Sequence, residues 1–593
     1  MEELDRATDL AAHRGPDGRG TLIRDAVGLG HRRLAIVDLS HEGLQPMQFS
    51  DGTLTLTYNG EIYNYLELRQ ELKSLGQAFR TRSDSEVILA AYAQWGPDCV
   101  TRFNGMWAFA IHDIRKGHVF LSRDRFGMKP LFYVETPDTF AFSSEINQIL
   151  SYVRQRRTDL DRVRCFLLTG GLDLDNETFF SGVRKLPAGN SAIYDLATHK
   201  LQIAPYYRVN FQVEHTRLSE RDAFQLFSST LEDAVRLRLR SDVVVGTCLS
   251  GGLDSSSIAT IASDFIREAG RFSAITAISE DQSTDETFFA NSIVKNSKLT
   301  WVRVKPRYED FVESLPHIVS SQQEPFGSPS LTMQYFVMKA ARDNGIKVLL
   351  DGQAGDEILL GYDKYYFAYL RQRCRDAGWK GVLDGIASIR AANARLGLVG
   401  IAKYVLGARL SSVRTAVYRH QQPYLTKGSS RVTAHLTAFA EAAGKPFDLQ
   451  RLELESTNLP ALLRYEDRNS MVHAVEARLP FLDHRLVELS LSLPIHLKIH
   501  DGWTKWILRK TMEGRMPADV VWRRNKFSFN APDSIWLKKH RSLMKYEVLN
   551  SSLVAAVTRH EALAHGFEKL NLSSQWRLYN LALWQKSFKV EPQ

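Results

Sequence analysis

The sequence is poor in cysteine: Cys99, Cys165, Cys248 and Cys374 are the four thiols of 593 residues, far apart and with no Cys-x-x-Cys pair. That excludes a disulfide framework and leaves no zinc-ligand spacing. It also lacks an apolar run fit to cross a bilayer, since the stretch from Gly381 to Leu410 is broken by Arg390, Arg395, Lys403 and Arg409. The opening Met-Glu-Glu-Leu-Asp-Arg is not a signal peptide. Charge of one sign is missing too. The net charge of +9 is dispersed over Arg154-Gln155-Arg156-Arg157, Arg236 to Arg240 and Arg523-Arg524 among interleaved acids, which reads as solvated faces and not as a nucleic-acid surface. At 44% hydrophobic and 24% charged residues, the composition predicts a soluble, cytoplasmic globular protein without membrane or nucleic-acid partners. The length predicts about two to four domains.

What is present centres on Val243 to Ser257. An apolar, β-branched run (Val243 to Leu249) breaks at Ser250-Gly251-Gly252 and passes through Leu253-Asp254-Ser255-Ser256 into a helical pattern carrying Ile258, Ile261 and Phe265. Paired glycines let backbone N–H groups approach an anion, serines add hydroxyl donors, and the helix start adds the positive end of its dipole. The loop therefore suits a phosphate or pyrophosphate. It is not the Walker pattern, because no Gly-Lys-Ser/Thr follows the glycines.

Around this loop, strands 243 to 249, 272 to 278, 301 to 304 and 347 to 350 alternate with helices ending near Arg267 and spanning 286 to 294, 308 to 320 and 331 to 343. That alternation predicts an α/β domain with a doubly wound parallel sheet, from about residue 215 to 593, whose ligands lie at the carboxyl ends of its strands. The strand at 347 to 350 leads into Asp351-Gly352-Gln353-Ala354-Gly355-Asp356-Glu357. Asp254 and Asp356, at two strand ends, are candidate Mg²⁺ ligands for a triphosphate; a plain helix cap is the competing reading of Asp356-Glu357.

Residues 1 to 205 follow a different grammar. Short runs at Leu34 to Val37, Leu54 to Tyr58, Trp107 to Ile111, Val119 to Leu121, Leu131 to Val134 and Phe140 to Phe142 surround two helical stretches, Tyr65 to Leu75 and Ser85 to Trp95. This predicts an α+β domain, antiparallel sheet packed with helices. Its polar phrases are His13 to Gly18, Gly30 to Asp38, Tyr58-Asn59-Gly60-Glu61-Ile62-Tyr63-Asn64 and Ser83-Asp84-Ser85-Glu86. Turn and capping chemistry explains each singly but not all four together.

Together these phrases resemble the glutaminase domain of class II amidotransferases, an Ntn-hydrolase-like fold, and most closely that of glutamine-hydrolysing asparagine synthetases. The resemblance implies that Arg33, Asn59, Gly60, Glu61 and Asp84 hold glutamine, with Asn59 and Gly60 forming an oxyanion hole. Residues 250 to 256 likewise resemble the pyrophosphate loop of ATP pyrophosphatases. By that likeness Leu249, Ser250, Gly251, Gly252, Asp254, Ser255, Ser256, Asp351 and Gly352 bind ATP and pyrophosphate, Asp254 and Asp356 hold Mg²⁺, and Gln353, Asp467 and Lys505 are candidate catalytic residues. Gln353 stands where the usual family phrase has glutamate. The implied substrates are ATP, aspartate and glutamine or ammonia, and a homodimer is left open.

The block Asp467 to Asp483 resembles the family's helical core, with Met471, Val475, Leu479 and Leu482 near helical spacing. Residues 370 to 450 read as helical cover, and the tail from Ser587 as frayed. In one place the sequence departs from the family: members carry an N-terminal cysteine nucleophile, and no cysteine precedes Cys99. An internal start, a lost activity or a recruited nucleophile are the alternatives. The retained glutamine phrases favour the first, and the chain as written is expected not to hydrolyse glutamine. A β-lactam synthetase or lasso-peptide cyclase with an internal amine, and a non-catalytic regulator, are the rival readings.

Overall fold

The computed structural model describes residues 1–266, 272–282, 285–393, 417–418, 420–426, 428–524 and 531–593. The expected helix end at Arg267 and the positions of Arg395, Lys403 and Arg409 lie outside them.

Period-two patterning builds the first half. Strand Leu54–Ile62 pairs along its whole length with Gly105–Asp113, which pairs with His118–Arg123, then Asn190–Asp195 and Lys200–Pro205; Met47–Gln48 closes the other edge. Every pairing in this six-stranded sheet is antiparallel. Trp107, Phe109 and Ile111 point into one core with helices Tyr65–Ser74 and Asp84–Trp95, whereas the alternate Ala108 and Ala110 point into a second core with Val27, Leu29 and Leu131. The small alanines admit the close approach of the hairpin Gly18–Arg24/Val27–Arg33 and the three-stranded sheet Arg184–Lys185, Phe132–Glu135 and Phe140–Ser143.

The later sheet is parallel, in the order Thr300–Val304, Ser273–Ala277, Val245–Cys248, Val348–Leu350 and Glu476–Arg478. Its faces alternate between two cores, Ala274, Val348 and Leu350 on one side and Ile275 and Leu349 on the other. Chain order runs outward in both directions from Val245–Cys248. The gap between that strand and Val348–Leu350 is therefore a topological switch point, where loops diverge and leave a crevice.

Three expectations are corrected. Leu34 to Val37 is not a strand: the Ala35 N–H donates to Asp17 Oδ2 (2.8 Å) and the Ile36 carbonyl accepts from Asp242 N–H (3.0 Å), so the backbone is satisfied by loops and not by a ladder. The helical spacing of Met471 to Leu482 does not continue as helix. Helix Leu459–Met471 stops, Ala474 turns left-handed (φ 53°), and Glu476–Arg478 joins the sheet edge. The Val475 and Leu479 side chains are buried on the way in and out of that strand. The tail is tied down: helix Leu572–Phe588 is followed by Glu591–Pro592, paired with Arg157–Thr158, and Val590 is buried.

The two halves share their cores. Ile36, Val37, Tyr63, Met106 and Met128 pack with the second half around Leu479 and Phe481, and Phe132, Ile146 and Phe166 pack with Trp536, Trp576 and Trp584.

Candidate active sites and the seam between them

At the switch point lies a cavity of about 500 Å³. Strand Val245–Cys248 delivers Leu249 and Ser250 to it, and helix Leu253–Phe265 begins at its wall with no side-chain cap, so its first N–H groups stay available to an anion. The loop is braced from within: Ser250 and Gly252 N–H groups donate to Ser255 Oγ and Ser250 Oγ, each at 3.2 Å. Gly251 must be glycine, since φ is +80° and a Cβ would sit 2.8 Å from the Ala290 nitrogen. Gly251 and Ser256, expected in the phosphate site, do not line the cavity. Gly251 turns the chain against helix Thr287–Asn296, and Ser256 is fully buried on the far face of its helix.

Asp254 and Asp356 converge on one cation. Lys505 Nζ is in contact with Asp254 Oδ2 and lies 2.7 Å from Asp356 Oδ1. Burial alone would push the lysine pKa down, but the two carboxylates outweigh it and raise it. Glycines make this approach feasible: a Cβ on Gly355 would lie 2.7 Å from Asp254 Cγ, and one on Gly361 only 1.9 Å from Asp356 Oδ1 and 2.2 Å from Lys505 Cε. Asp351, Gly352 and Gln353 also line the cavity. Burial raises the Asp351 carboxyl to about 6, helped by Asp254 and opposed by donors that include the Cys248 thiol and the Gln353 N–H.

Sequence reasoning missed Glu357, Arg509 and Arg523 in this wall. Glu357 is buried and accepts from Tyr362 Oη (2.7 Å) and Asn458 Nδ2 (2.5 Å). Arg523 pairs with Glu286 at 2.7 Å and lies over the Phe289 ring. Arg523 is thus cavity lining and not part of a solvated charge cluster, which no local pattern announced, whereas Arg524 at the same rim is exposed.

A second cavity, about 170 Å³, lies in the first half and is lined by Arg33, Asn59, Gly60, Glu61 and Asp84. Strand Leu54–Ile62 presents Asn59 to Glu61, and Asp84 opens helix Asp84–Trp95. Gly60 is at φ +150°, and a Cβ there would meet the Met106 carbonyl at 2.0 Å. Asp84 Oδ2 accepts from Tyr58 Oη (2.9 Å) and the Ile62 N–H (3.0 Å). Burial pushes both Asp84 and Glu61 upward, against the opposing charge of Arg478. Arg33 binds the Ser40 carbonyl (2.6 Å) and the Asp38 carbonyl. No cysteine lines the pocket among the described residues. Cys99 sits in the helix-packed core behind the sheet, and burial drives its thiol pKa up, opposite to a nucleophile's need.

Comparison with known proteins matches two family profiles to the chain, one to each half. The family profile described as asparagine synthase matches residues 226–586. The chain belongs to the asparagine synthase family. A glutamine amidotransferase domain profile matches residues 1–207. Among its relatives, asparagine synthetase [glutamine-hydrolyzing] 3 of Bacillus subtilis is 32% identical over 93% of this chain and 89% of its own length. Asparagine synthetase [glutamine-hydrolyzing] 1 of the same organism is 29% identical over 93% and 87%. A putative asparagine synthetase [glutamine-hydrolyzing] of Mycobacterium bovis is 30% identical over 98% and 93%. No helix among the described residues is long and apolar enough to cross a membrane.

In this asparagine synthase family chain Asp467, expected as a catalytic residue, does not face the larger cavity. It lies in the seam between the halves, where Arg14 grips it with two bonds of 2.8 and 2.9 Å and also reaches Glu145 at 3.4 Å. Glu145 in turn pairs with Arg468 at 3.2 Å and accepts from Gln323 at 2.7 Å. A parallel link joins Glu61 of the smaller pocket to Arg478 (3.5 Å), which also binds Glu476 (2.8 Å) and the carbonyls of Arg238 and Arg240.

The larger cavity fits Mg²⁺ and a nucleotide. Mg²⁺ is usually held by one or two carboxylates together with substrate phosphates, and Asp254 and Asp356 supply two that already converge on a cationic group. No group of three or more His, Cys, Asp or Glu side chains that could hold a metal occurs among the described residues.

Proposed function

We propose that this chain converts aspartate to asparagine with ATP, through β-aspartyl-AMP. The observation that carries the reading is the convergence of the Ser250 loop, Asp254, Asp356 and Lys505 on one cavity at the switch point of the parallel sheet. Residues 215–593 would form the synthetase domain, related to ATP pyrophosphatases, and residues 1–205 an Ntn-type amidotransferase domain.

In this reading ATP is a substrate whose β and γ phosphates lie on Ser250, Gly252 and Ser255. Mg²⁺ held by Asp254 and Asp356 would neutralise phosphate charge. The aspartate β-carboxylate displaces pyrophosphate at the α phosphorus, and ammonia then attacks the acyl-adenylate to give asparagine and AMP. Lys505, kept cationic by its two carboxylates, is placed to stabilise negative charge as it develops. Asp84 and Glu61 form a setting for an amino-acid ammonium, which supports glutamine binding in the smaller pocket. Since no thiol lines that pocket among the described residues, ammonia is the nitrogen source we assign to the chain as given.

Pyrophosphate release from Mg-ATP and aspartate tests this, with ammonium chloride and, separately, with glutamine. Release with ammonia alone is expected, and K505A should abolish it. Release with glutamine would overturn the nitrogen assignment. Release with neither would point to another acceptor, such as the internal amine used by a cyclase.

A further inference from the structure

Lys498 ends the short helix Ile495–Lys498, is 1% exposed, and has no acid paired with it among the described residues. A buried cation without a counter-charge is costly, and burial lowers this one to about 7. Its Nζ donates to the carbonyls of Ser490 (3.0 Å) and Leu491 (3.1 Å) and to Gln450 Oε1 (2.9 Å), three bonds for the three donors of an ammonium. The two carbonyls lie in the last turn of helix His484–Ser492, whose dipole favours a cation at that end. Those two bonds cap a helix. The third reaches towards the larger cavity.

An ammonium has donors only, so Lys498 obliges Gln450 to present its oxygen and turns the amide NH₂ the other way. Gln450, fully buried in helix Pro446–Leu452, directs that NH₂ at the carbonyls of Glu357 (2.9 Å) and Ile358 (2.6 Å). These carbonyls close the helix Gly355–Ile358, which brings Asp356 to the cavity wall. Four residues are too few for a helix to hold itself, and its last carbonyls have no partner within it. Leu360 then turns left-handed (φ 55°), and the Gly361 N–H returns to the Asp356 carbonyl (2.9 Å). The turn that bears Asp356 thus rests at its outer end on Gln450. Tyr362 and Asn458 anchor the Glu357 side chain, not these carbonyls.

We propose that Lys498, acting through Gln450, is a positioning residue for Asp356 and thereby sets how well the larger cavity holds Mg²⁺. The inference rests on the reading of Asp356 as a Mg²⁺ ligand and adds to it two residues that do not line the cavity. With a side chain at 498 that cannot donate, the Gln450 amide is free to rotate about its last bond. Its oxygen then faces two carbonyl oxygens, and the turn bearing Asp356 is displaced.

The test compares Lys498→Met, Gln450→Leu and the double variant in the full chain. Each single variant should raise the KM for Mg²⁺ about tenfold in aspartate-dependent ATP–pyrophosphate exchange, a reaction that stops at the adenylate, while the KM for aspartate stays as in wild type. Because both residues act through one chain of bonds, the double variant should be no worse than either single one. An unchanged KM for Mg²⁺, an equal rise in both KM values, or additive losses in the double variant would overturn the proposal and leave Lys498 as a helix cap. Hydrogen exchange reads the same effect without activity. The amides of Ile358, Leu359 and Gly361, all bonded within the turn, should lose protection in both single variants while helix Leu253–Phe265 keeps it. Should a variant not fold, Gln450→Glu keeps an acceptor for Lys498, removes the donors to Glu357 and Ile358, and must give the same rise and the same local loss. Should the wild type show no aspartate-dependent exchange, the functional reading fails by itself. Hydrogen exchange then decides the positioning: a local loss of protection upholds it, and unchanged protection refutes it.

Discussion

Gly361→Ala separates the stability of this fold from the geometry of the proposed nucleotide site. The added Cβ would stand 1.9 Å from Asp356 Oδ1 and 2.2 Å from Lys505 Cε, where real contacts essentially never fall below 3.0 Å. Asp356 must therefore move by at least about 1 Å, and Lys505 by nearly as much. Both atoms belong to side chains, not to backbone, so the fold can yield. The pairing of Lys505 with both carboxylates cannot survive unchanged. A misplacement of about 1 Å in a catalytic array can cost about 100-fold in rate, close to 3 kcal/mol of transition-state stabilisation. The assay is aspartate-dependent ATP–pyrophosphate exchange beside thermal unfolding. The expected outcome is a loss of about 100-fold in kcat/KM with a midpoint within a few degrees of wild type. Exchange within about threefold of wild type would refute the claim that Asp254, Asp356 and Lys505 act as one array.

Other consequences reach the seam and the pocket. Arg478→Met removes the 2.8 Å partner of Glu476, leaving it Lys129 at 3.9 Å, and takes from Glu61 its ion pair; with these side chains buried, the loss should be about 3–5 kcal/mol in urea unfolding. A change under about 1 kcal/mol would mean that these carboxyls find other partners. His31 is pushed down to about 4 by burial, partly offset by its bond to the Tyr58 carbonyl. The folded state keeps it neutral while the unfolded chain protonates below 6.5. Stability from this group is thus present above 6.5 and lost as pH falls towards 4, by at most about 3 kcal/mol. His31→Gln should flatten that slope, and an unchanged slope would place its cause elsewhere.

Much of the fold was legible because hydrophobic period is a local property. The run at 54–58, the helical stretch at 85–95 and the strand–turn–helix around Ser250 follow from residue patterns within one element, although the first strand runs on to Ile62 through the Asn59-Gly60 that reads as a turn. The site residues legible from sequence were those whose chemistry sits inside a short phrase, such as Ser250 to Ser255 or Asn59 to Glu61. The misreadings share one cause. Leu34 to Val37 has strand composition, but its backbone partners, Asp17 and Asp242, come from elsewhere in the chain. Met471 to Leu482 keeps helical spacing, but the empty edge beside Val348–Leu350 draws Glu476–Arg478 into the sheet. Asp467 looked catalytic beside Arg468, and its partner Arg14 lies 453 residues away.

The sequence by itself determined the two kinds of sheet, the glycine loop at Ser250 and the polar phrases of the smaller pocket, since each is encoded by neighbours along the chain. Only the tertiary structure decided that Asp254, Asp356 and Lys505 meet at one point, that Arg523 lines a cavity, and that Lys498 reaches through Gln450 to the turn bearing Asp356. Burial and electrostatic pairing depend on distance in space, and residues hundreds of positions apart acquire that distance only when the two halves pack against each other.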